Sequence, residues 1–367
     1  MLLSKNTHLS SKEMIKNGSF FTPEKISSIV FSYVKPLLKQ DDVIVDFGAG
    51  YGAFEKAFSS VSNTIIATDI DEKSLEKLKE NFPDIKTLHE NSLLNIDRKK
   101  YCRDDQSLIA IGNPPYNDTT SIYRKGEKGE NNCDDCVKAR DLGVSFLRMY
   151  AELKADYVCV LHPLAYLIKK SNFRNLLQFR ENYKLIKATI FSSAEFESIK
   201  KGNSEFPVVA ALYEKNDSGM DFDYLSNFNF DILNSNLKFT LNDYETIDGK
   251  ISKYPDKEHL SYEGLQFYTL RDINALKRNA TFLDGFCSNG IMVTKENLYQ
   301  YAWLEYFKDT FHPEENAYIF GNLSPLYNKE IETSEMKAKL VRYVWDKLPL
   351  IQKYFSYDEL ADYYGAF

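Results

Sequence analysis

The chain has 367 residues, a formal net charge of −7 and 43% hydrophobic residues. This length predicts two domains that each bury a core, and no apolar run is long enough to span a membrane. The first residues lack the apolar core of a signal peptide, and the five cysteines are scattered and odd in number, so we expect a cytoplasmic protein without a disulfide framework. Cys133-x-x-Cys136 has no second ligand pair, and no metal site is predicted.

Predicted strands and helices alternate through the first 216 residues. The predicted helices cover 24–39, 72–81, 144–154 and 171–180, and the predicted strands lie near 43–47, 64–69, 85–88, 107–112, 157–162, 185–191 and 206–214. This alternation predicts an α/β fold with a doubly wound, mainly parallel sheet, in which the last strand is antiparallel at one edge. Residues 217–367 lose the alternation and are predicted to form a separate α+β domain that ends in helices from about 332 to 362.

The first predicted strand runs into a glycine-rich turn. Asp46 ends the strand, and the pattern G-x-G-x-G at 48–52 follows, which differs from the G-x-G-x-x-G of dinucleotide sites. Asp69 ends the second strand, where an acidic residue holds ribose hydroxyls, although Asp69 and Asp71 could instead cap the next helix. A carboxylate at the first turn suits a cationic group better than a pyrophosphate, so the pattern favours S-adenosylmethionine as the cofactor.

A proline-rich tetrapeptide follows the fourth predicted strand. Asn113-Pro114-Pro115-Tyr116 lies where the buried run 108–112 ends, at the edge where open α/β sheets bind ligands. The prolines make the turn rigid and leave carbonyl groups free to accept hydrogen bonds, while Asn113 adds an amide oxygen and Tyr116 a flat ring. This set suits a planar substrate that carries an amino group. The alternative is an ordinary proline turn.

Taken in order, these motifs resemble those of the gamma-class N6-adenine DNA methyltransferases of restriction–modification systems, over residues 17–215. The matching segments are the N-terminal motif Gly18–Pro23, the glycine-rich motif Asp46–Gly52, the catalytic motif Asn113–Tyr116, the helix Asp141–Leu147 and the strand end Cys159–Pro163. Three βα units nearly fill the stretch between Asp46 and Asn113. A recognition domain must therefore follow the catalytic domain, as it does in the gamma class.

The resemblance implies a Rossmann-like, S-adenosylmethionine-dependent catalytic domain at 1–216 and a target-recognition domain at 217–367. One departure concerns Asn91-Ser92, where the family carries an aspartate–phenylalanine pair. Asn91 would then bind the cofactor's adenine through its amide oxygen. The implied cofactor contacts are Phe21, Thr22, Pro23, Asp46, Gly48, Ala49, Gly50, Asp69, Ile70, Asn91, Ser92, Asn113 and Phe146.

The implied reaction transfers the methyl group of S-adenosylmethionine to the exocyclic N6 of adenine in a specific sequence of double-stranded DNA. Asn113, Pro114, Pro115 and Tyr116 are the implied catalytic residues, with the Asn113 oxygen and a carbonyl near Pro114 holding the two N6 protons. The adenine must be flipped out of the duplex, and Tyr116 would stack on one face. Phe196 and Phe206 compete for the other face, and Phe206 is the better candidate for a core residue.

Charge argues against tight DNA binding. Residues 217–367 contain 15 Lys or Arg and 24 Asp or Glu, a net charge of −9, whereas DNA-binding surfaces are basic. A local basic face remains compatible with this total. The candidate DNA contacts are Arg124, Lys125, Arg271, Lys277 and Arg278.

The expected partner is double-stranded DNA, the expected form is a monomer associated with a bacterial nucleoid, and a restriction endonuclease that acts on the same site is an open option. Two other functions stay open. One is a related amino-methyltransferase that acts on RNA or on a protein glutamine. The other is a nucleic-acid-binding homologue without catalytic activity.

Overall fold

The computed structural model describes residues 21–116, 133–196, 206–243, 245–246, 251–252, 254–255, 262–270, 275–276, 278–310, 326–327 and 329–365. The chain divides into two compact units. The N-terminal unit is Met1–Leu241 and the C-terminal unit is Asn242–Phe367.

A single sheet forms the centre of the N-terminal unit. Its strands are β1 (Val43–Phe47), β2 (Thr64–Asp69), β3 (Lys86–His89), β4 (Leu108–Gly112), β5 (Tyr157–Pro163), β6 (Tyr183–Ser192), β7 (Pro207–Lys215), β8 (Phe230–Ile232) and β9 (Lys238–Phe239). Their order is β3-β2-β1-β4-β5-β7-β6-β8-β9. Strand β7 is antiparallel to both neighbours, β9 is antiparallel to β8, and the other pairs are parallel. This Rossmann-like α/β sheet confirms the predicted fold class, and its order reverses between β1 and β4, where such sheets bind ligands.

Eight helices accompany these strands in the described part of the unit: α1 (Glu24–Val34), α2 (Ala53–Ala57), α3 (Glu72–Asn81), α4 (Leu142–Glu152), α5 (Ala165–Ile168), α6 (Lys170–Arg174), α7 (Gln178–Asn182) and α8 (Phe222–Ser226). Helix α1 buries Ile26, Val30 and Val34 on one face. It ends before the predicted residue 39 because Pro36 lacks an amide proton, and the chain continues as a 3₁₀ turn. The helix predicted at 171–180 is divided into α6 and α7, because Leu177 has a φ of 49°.

Strand β7 is antiparallel, as predicted, but it lies inside the sheet rather than at an edge. It pairs with β5 from Tyr157 opposite Glu214 to Pro163 opposite Val208, and it pairs with β6 on its other side. Residues 207–213 are all buried, because apolar side chains cover both faces of the strand. At an edge, this apolar strand would leave one row of its backbone groups unpaired.

Residues 217–241 pack with the N-terminal unit. Strand β8 pairs in parallel with β6, with Thr189 opposite Asp231, and Phe230 and Phe239 are fully buried. The compact unit therefore extends beyond the predicted boundary at residue 216, because β8 and β9 continue the sheet past β6.

The C-terminal unit combines short strands with helices. Strand β10 (Glu245–Thr246) pairs with β14 (Leu326–Tyr327), and β11 (Gln266–Tyr268) pairs with β12 (Phe282–Leu283) and β13 (Gly290–Met292), all antiparallel. The core is supplied mostly by α9 (Leu298–Thr310), α10 (Ser334–Lys347), α11 (Pro349–Tyr354) and α12 (Tyr357–Tyr364). The helical end agrees with the sequence. Among the residues that the structure describes, no helix combines the length and apolar character needed to cross a membrane.

Candidate active site

The glycine-rich turn between β1 and α2 borders open space. Gly48, Gly50 and Gly52 have positive φ angles of 83°, 53° and 88°, a backbone conformation that favours glycine. A Cβ atom added at Gly48 or Gly50 would meet no atom of the described residues within 4 Å, whereas one at Gly52 would lie 2.8 Å from the ring of Phe82. The first two glycines therefore leave room for a ligand, and the third allows close packing against α3.

Asp69 is fixed beside this turn at the end of β2. The Gly50 amide donates to Asp69 Oδ2 and the Asp71 amide donates to Asp69 Oδ1, both at 2.8 Å. A carboxylate has about four lone pairs, so the group can still accept a hydrogen bond from a ligand. The neighbouring Ile70 exposes 68% of its surface, an apolar side chain available to pack on a bound ring.

Asp71 has the structural role that the sequence left open. It is the N-cap residue of α3, and its Oδ2 accepts a hydrogen bond of 2.7 Å from the Ser74 hydroxyl. The two acids therefore differ in their contacts. The Asp71 side chain binds Ser74 of α3, whereas Asp69 joins the glycine turn to the end of β2.

Asp46 and Glu55 form a buried carboxyl pair that the sequence did not predict. Both side chains are almost completely buried, at 0% and 1% exposure, and none of their four oxygens has a hydrogen-bond donor among the described residues. Burial raises the pKa of Glu55 to about 7, and burial together with the charge of Glu55 raises the pKa of Asp46 well above its usual range. Sequence analysis missed Glu55 because a Glu-Lys pair in a short helix usually faces solvent.

Asn91 and Ser92 lie in the turn after β3. Asn91 Oδ1 accepts the Leu93 amide at 3.1 Å, and the Ser92 hydroxyl lies 2.9 Å from the Thr68 hydroxyl. The Ser92 contact joins this turn to β2 near Asp69. The Asn91 oxygen is thus held within this turn, on the side of β2 that carries Asp69.

Phe146 and Tyr150 lie one turn apart on α4. The two rings are 6.4 Å apart and tilted by 47°, and both are buried, with Phe146 8% exposed. The Tyr150 hydroxyl has no hydrogen-bond partner among the described residues. Sequence analysis named Phe146 and missed Tyr150, whose position one helical turn later is the signal that could have found it.

The catalytic motif lies at the carboxyl end of β4. Gly112 brings it close to β1, since a Cβ atom there would lie 2.7 Å from the Phe47 carbonyl oxygen and 3.4 Å from Asp46 Oδ1. Asn113 Nδ2 donates to Thr22 Oγ1 at 3.1 Å, and the Tyr116 hydroxyl donates to Asn113 Oδ1. The amide oxygen predicted to hold the substrate amine therefore accepts a hydrogen bond from Tyr116.

The N-terminal motif contacts both the glycine turn and the catalytic turn. The Phe21 ring stacks on Tyr51 with centroids 4.9 Å apart, and Thr22 accepts from Asn113. Pro23 is the N-cap residue of α1, and its carbonyl oxygen accepts the first amide protons of that helix. Tyr51 is a third residue that sequence analysis missed, because a residue between two glycines has no pattern that predicts its partner.

Polar side chains of several elements contact one another beside the start of α4. Asp141 accepts from the Gly143 amide at 2.9 Å and from the Tyr166 hydroxyl, and Tyr166 stacks on His162 at 5.4 Å. His162 Nε2 lies 2.7 Å from the Tyr213 hydroxyl, and burial lowers the pKa of His162 to about 4, so the ring is neutral at pH 7. Burial raises the pKa of Tyr116, and the charge of Asp141 adds to this effect.

The two phenylalanines proposed for base stacking differ in exposure. Phe196 is fully buried in the core and makes an edge-to-face contact of 5.8 Å with Phe191. Phe206 is only partly buried against the same core. The expected order is therefore reversed, since the ring of Phe206 is the more accessible of the two.

The predicted DNA contacts are mostly outside the described residues. Arg124, Lys125, Arg271 and Lys277 fall in segments that the structure does not describe. Arg278 is exposed, and its guanidinium lies 3.5 Å from the centroid of the Tyr268 ring. This contact orients the Arg278 side chain on the surface of the C-terminal unit.

The cofactor-site residues are chemically suited to S-adenosylmethionine. Asp69 has free lone pairs for ribose hydroxyls, Ile70 offers an apolar surface for adenine, and the open turn at Gly48 and Gly50 has room for the chain between them. The buried carboxyl of Asp46 beside Gly112 suits the cationic methionine end. These residues belong to β1, β2 and their following turns, as the sequence predicted.

No family model matches the sequence. Curated relatives include ribosomal RNA small subunit methyltransferase A of Shewanella pealeana, 27% identical over 123 residues, or 33% of this chain and 45% of the relative. The enzyme of that name from Malacoplasma penetrans is also 27% identical over 123 residues, or 34% of this chain and 43% of the relative. The chain thus spans less than half the length of these curated relatives.

Solved structures with some likeness include a modification subunit of a putative type I restriction enzyme from Vibrio vulnificus. It is 15% identical, the match covers 65% of this chain and 56% of that chain, and the TM-score is 0.44. A putative RNA methyltransferase from Pyrococcus horikoshii is 17% identical, with 58% of this chain and 95% of that chain covered and a TM-score of 0.39.

Proposed function

We propose that the protein transfers a methyl group from S-adenosylmethionine to the N6 nitrogen of adenine in a specific sequence of double-stranded DNA. The observation that supports this most is the position of the catalytic motif. Asn113 and Tyr116 follow β4 directly, at the switch point of the sheet, and Gly112 brings them beside Asp46. A rigid turn with amine acceptors thus lies next to a site suited to a cationic cofactor.

The ends of β1 and β2 hold different parts of the cofactor in this proposal. S-adenosylmethionine supplies an electrophilic methyl group when it is bound. Asp69 and the turn at Gly48 hold its nucleoside, and Asp46 lies nearer to Asn113, at the end where the methyl group must be presented. The curated relatives carry the word methyltransferase in their names, which supports this cofactor and reaction type.

Asn113 acts on the amine of the target base. The adenine N6 lone pair is delocalised into the ring, so the nitrogen is a weak nucleophile until its protons are held out of the ring plane. Asn113 Oδ1 and a carbonyl of the Pro114 turn accept these two protons and aim the lone pair at the methyl carbon. With the cofactor bound, the nitrogen would take the methyl group in line, S-adenosylhomocysteine would be the leaving group, and the nitrogen would lose one proton to solvent.

Tyr116 has to change partners during this reaction. Its hydroxyl now donates to the Asn113 oxygen, whereas a flipped adenine needs that oxygen and the face of the Tyr116 ring. Entry of the base therefore replaces the Tyr116 hydrogen bond at this oxygen. Phe206, whose ring is the more accessible of the two candidates, supplies the opposite face.

The C-terminal unit selects the DNA sequence in this proposal. The N-terminal unit already contains the cofactor and catalytic residues, and reading base edges needs a further element that enters a groove. The net charge of −9 over residues 217–367 means that few basic residues contact phosphate, and Arg278 is the candidate that is exposed in the described structure. We also propose that the protein works as a monomer.

Methylation of RNA is a second candidate function. It is favoured by the similarity of one third of this chain to ribosomal RNA small subunit methyltransferase A. The same acceptors would then hold an adenine amine in an unpaired RNA segment, which needs no base flipping from a duplex.

Transfer of a labelled methyl group separates these candidates. The full chain is incubated with tritium-labelled S-adenosylmethionine in three parallel reactions. One contains duplex DNA without N6-methyladenine, one contains ribosomal RNA, and one contains a protein extract. We expect label only in DNA, recovered as N6-methyl-2′-deoxyadenosine after digestion and mass spectrometry. Label in RNA would support the second candidate, and label in protein glutamine would overturn both.

A further inference from the structure

The carboxyl pair of Asp46 and Glu55 is the least satisfied polar feature of the described structure. The side chains come from β1 and α2, they are 0% and 1% exposed, and their four oxygens have no donor there. A buried, unpaired carboxylate costs several kcal/mol, so such groups normally have a partner or carry a proton. Two adjacent buried carboxyl groups cannot both be ionised unless a partner compensates their charge.

A third buried group without a partner lies on another element. The Tyr150 hydroxyl on α4 is fully buried and has no partner among the described residues. Burial raises the pKa of Tyr150, and the charge of Asp46 adds to that effect. The described structure thus has buried side-chain oxygens without a donor on β1, α2 and α4.

Asp46 belongs to the methionine end of the cofactor site. Asp46 Oδ1 lies 3.4 Å from a Cβ atom built on Gly112, directly before the catalytic Asn113. The ribose-binding Asp69 lies on the next strand, and its charge also disfavours ionisation of Glu55. A cation is the ligand group that would compensate a buried carboxylate here, and the amino acid part of S-adenosylmethionine carries an ammonium group.

We propose that Glu55 is a second acid of the cofactor site, which shares one proton with Asp46 in the free protein and releases it when the methionine ammonium binds. This inference rests on the proposed cofactor. In the free protein, a single proton between the two carboxyls leaves one negative charge instead of two. In the complex, the ammonium takes the place of that proton, so cofactor binding and proton release are linked.

The titration has a defined direction. Ordinary carboxyl groups ionise near pH 4, whereas burial raises the pKa of Glu55 to about 7 and raises that of Asp46 as well. Cofactor affinity should therefore rise with pH up to about 7, by as much as tenfold per pH unit. The stability of the free protein should fall over the same range, because the folded state holds a proton that the unfolded chain has lost.

Calorimetry of the full chain tests the linkage without any substitution. S-adenosylhomocysteine, which has the ammonium group, and 5′-methylthioadenosine, which lacks the amino acid part, are each titrated at pH 6 in two buffers of different ionisation enthalpy. We expect release of about one proton per S-adenosylhomocysteine and none for 5′-methylthioadenosine. Equal proton release for both ligands, or none for either, would overturn the proposal. If neither ligand binds at all, the proposed cofactor itself is wrong.

The Glu55→Gln variant tests the residue. Glutamine keeps the size of the side chain and removes the shared charge. We expect about tenfold or greater loss of affinity for S-adenosylhomocysteine, no proton release, and unchanged affinity for 5′-methylthioadenosine. Glu76→Gln, which changes an exposed glutamate of α3, is the matched control. An equal loss of affinity for both ligands would show that Glu55 only stabilises the fold.

Discussion

Buried carboxyl groups occur in both units, and their surroundings differ. In the C-terminal unit, Glu305 is 3% exposed, lies 2.9 Å from Lys347 Nζ and accepts the Thr281 hydroxyl. In the N-terminal unit, Asp46 and Glu55 have no such donors among the described residues. A buried acid with a purely structural role has its partner built into the chain, because removing that partner leaves an uncompensated charge. Buried acids without one indicate a place where a ligand supplies the opposite charge.

Removal of the C-terminal unit should have the largest effect on activity. A chain that ends at Leu241 keeps all nine strands and the site at β1 and β4, so we expect it to bind S-adenosylhomocysteine normally and to lose site-specific methylation of DNA. Binding is measured by calorimetry and methylation by sequencing of a treated plasmid. Methylation of the same adenines as by the full chain would show that the C-terminal unit does not select the sequence. A chain that ends at residue 216 also loses β8 and β9, and we expect it to be less stable.

The Asn113→Ala variant should lose about 100- to 1000-fold in the rate of methyl transfer, the scale of a single polar group at a transition state. Cofactor affinity should stay within about twofold, since Asn113 contacts Thr22 and its proposed role is to hold the substrate amine. Single-turnover kinetics on duplex DNA gives the rate, and calorimetry gives the affinity. Tyr116→Phe, which removes only the hydroxyl bonded to Asn113, should retain most of the rate. A near-normal rate for Asn113→Ala contradicts the mechanism.

The Asp69→Ala variant should weaken binding of S-adenosylhomocysteine by about 1.5–3 kcal/mol, the range for hydrogen bonds to a charged group. The carboxylate holds the Gly50 amide and keeps lone pairs for the ribose. Asp71→Ala is the matched control, because that acid contacts Ser74 within its own helix. Unchanged calorimetric affinity in a folded Asp69→Ala protein would remove Asp69 from the site.

The Lys347→Met variant probes the paired acid of the C-terminal unit. Loss of the ammonium that compensates Glu305 should lower the free energy of unfolding by about 1.5–3 kcal/mol, with no change in cofactor affinity. Chemical denaturation and calorimetry measure the two quantities. If Lys347→Met changed cofactor affinity as much as Glu55→Gln does, Glu305 and Glu55 could not be assigned different roles.

The Arg278→Ala variant should have the smallest effect. If Arg278 contacts a phosphate, the slope of log affinity against log salt concentration should fall by about one, with equal weakening for all DNA sequences. Arg103→Ala, at an exposed arginine of the N-terminal unit, is the control. An unchanged slope would leave Arg278 as a surface residue that stacks on Tyr268.

The strands that carry the site were predictable from sequence because each contains a short run of mostly apolar residues, which is typical of a buried strand. Strands β1, β2 and β4 lie within one residue of their predicted bounds, and Asp46, Asp69 and Asn113 follow from their ends. The interior position of β7 depends on pairing with β5 and β6, which no local pattern encodes. Glu55 was missed, and Phe206 was preferred to Phe196 as a core residue, for the same reason: the burial of these side chains is decided by elements distant in the sequence.

Single-molecule sequencing of genomic DNA tests the central claim most directly. DNA is taken from methylation-deficient bacteria that express the full chain or, at equal protein level, its Asn113→Ala variant. We expect N6-methyladenine at every copy of one short sequence in the first DNA and at none in the second. Unmodified adenine in both samples, together with methylated RNA or protein in the same cells, would contradict a function in DNA methylation.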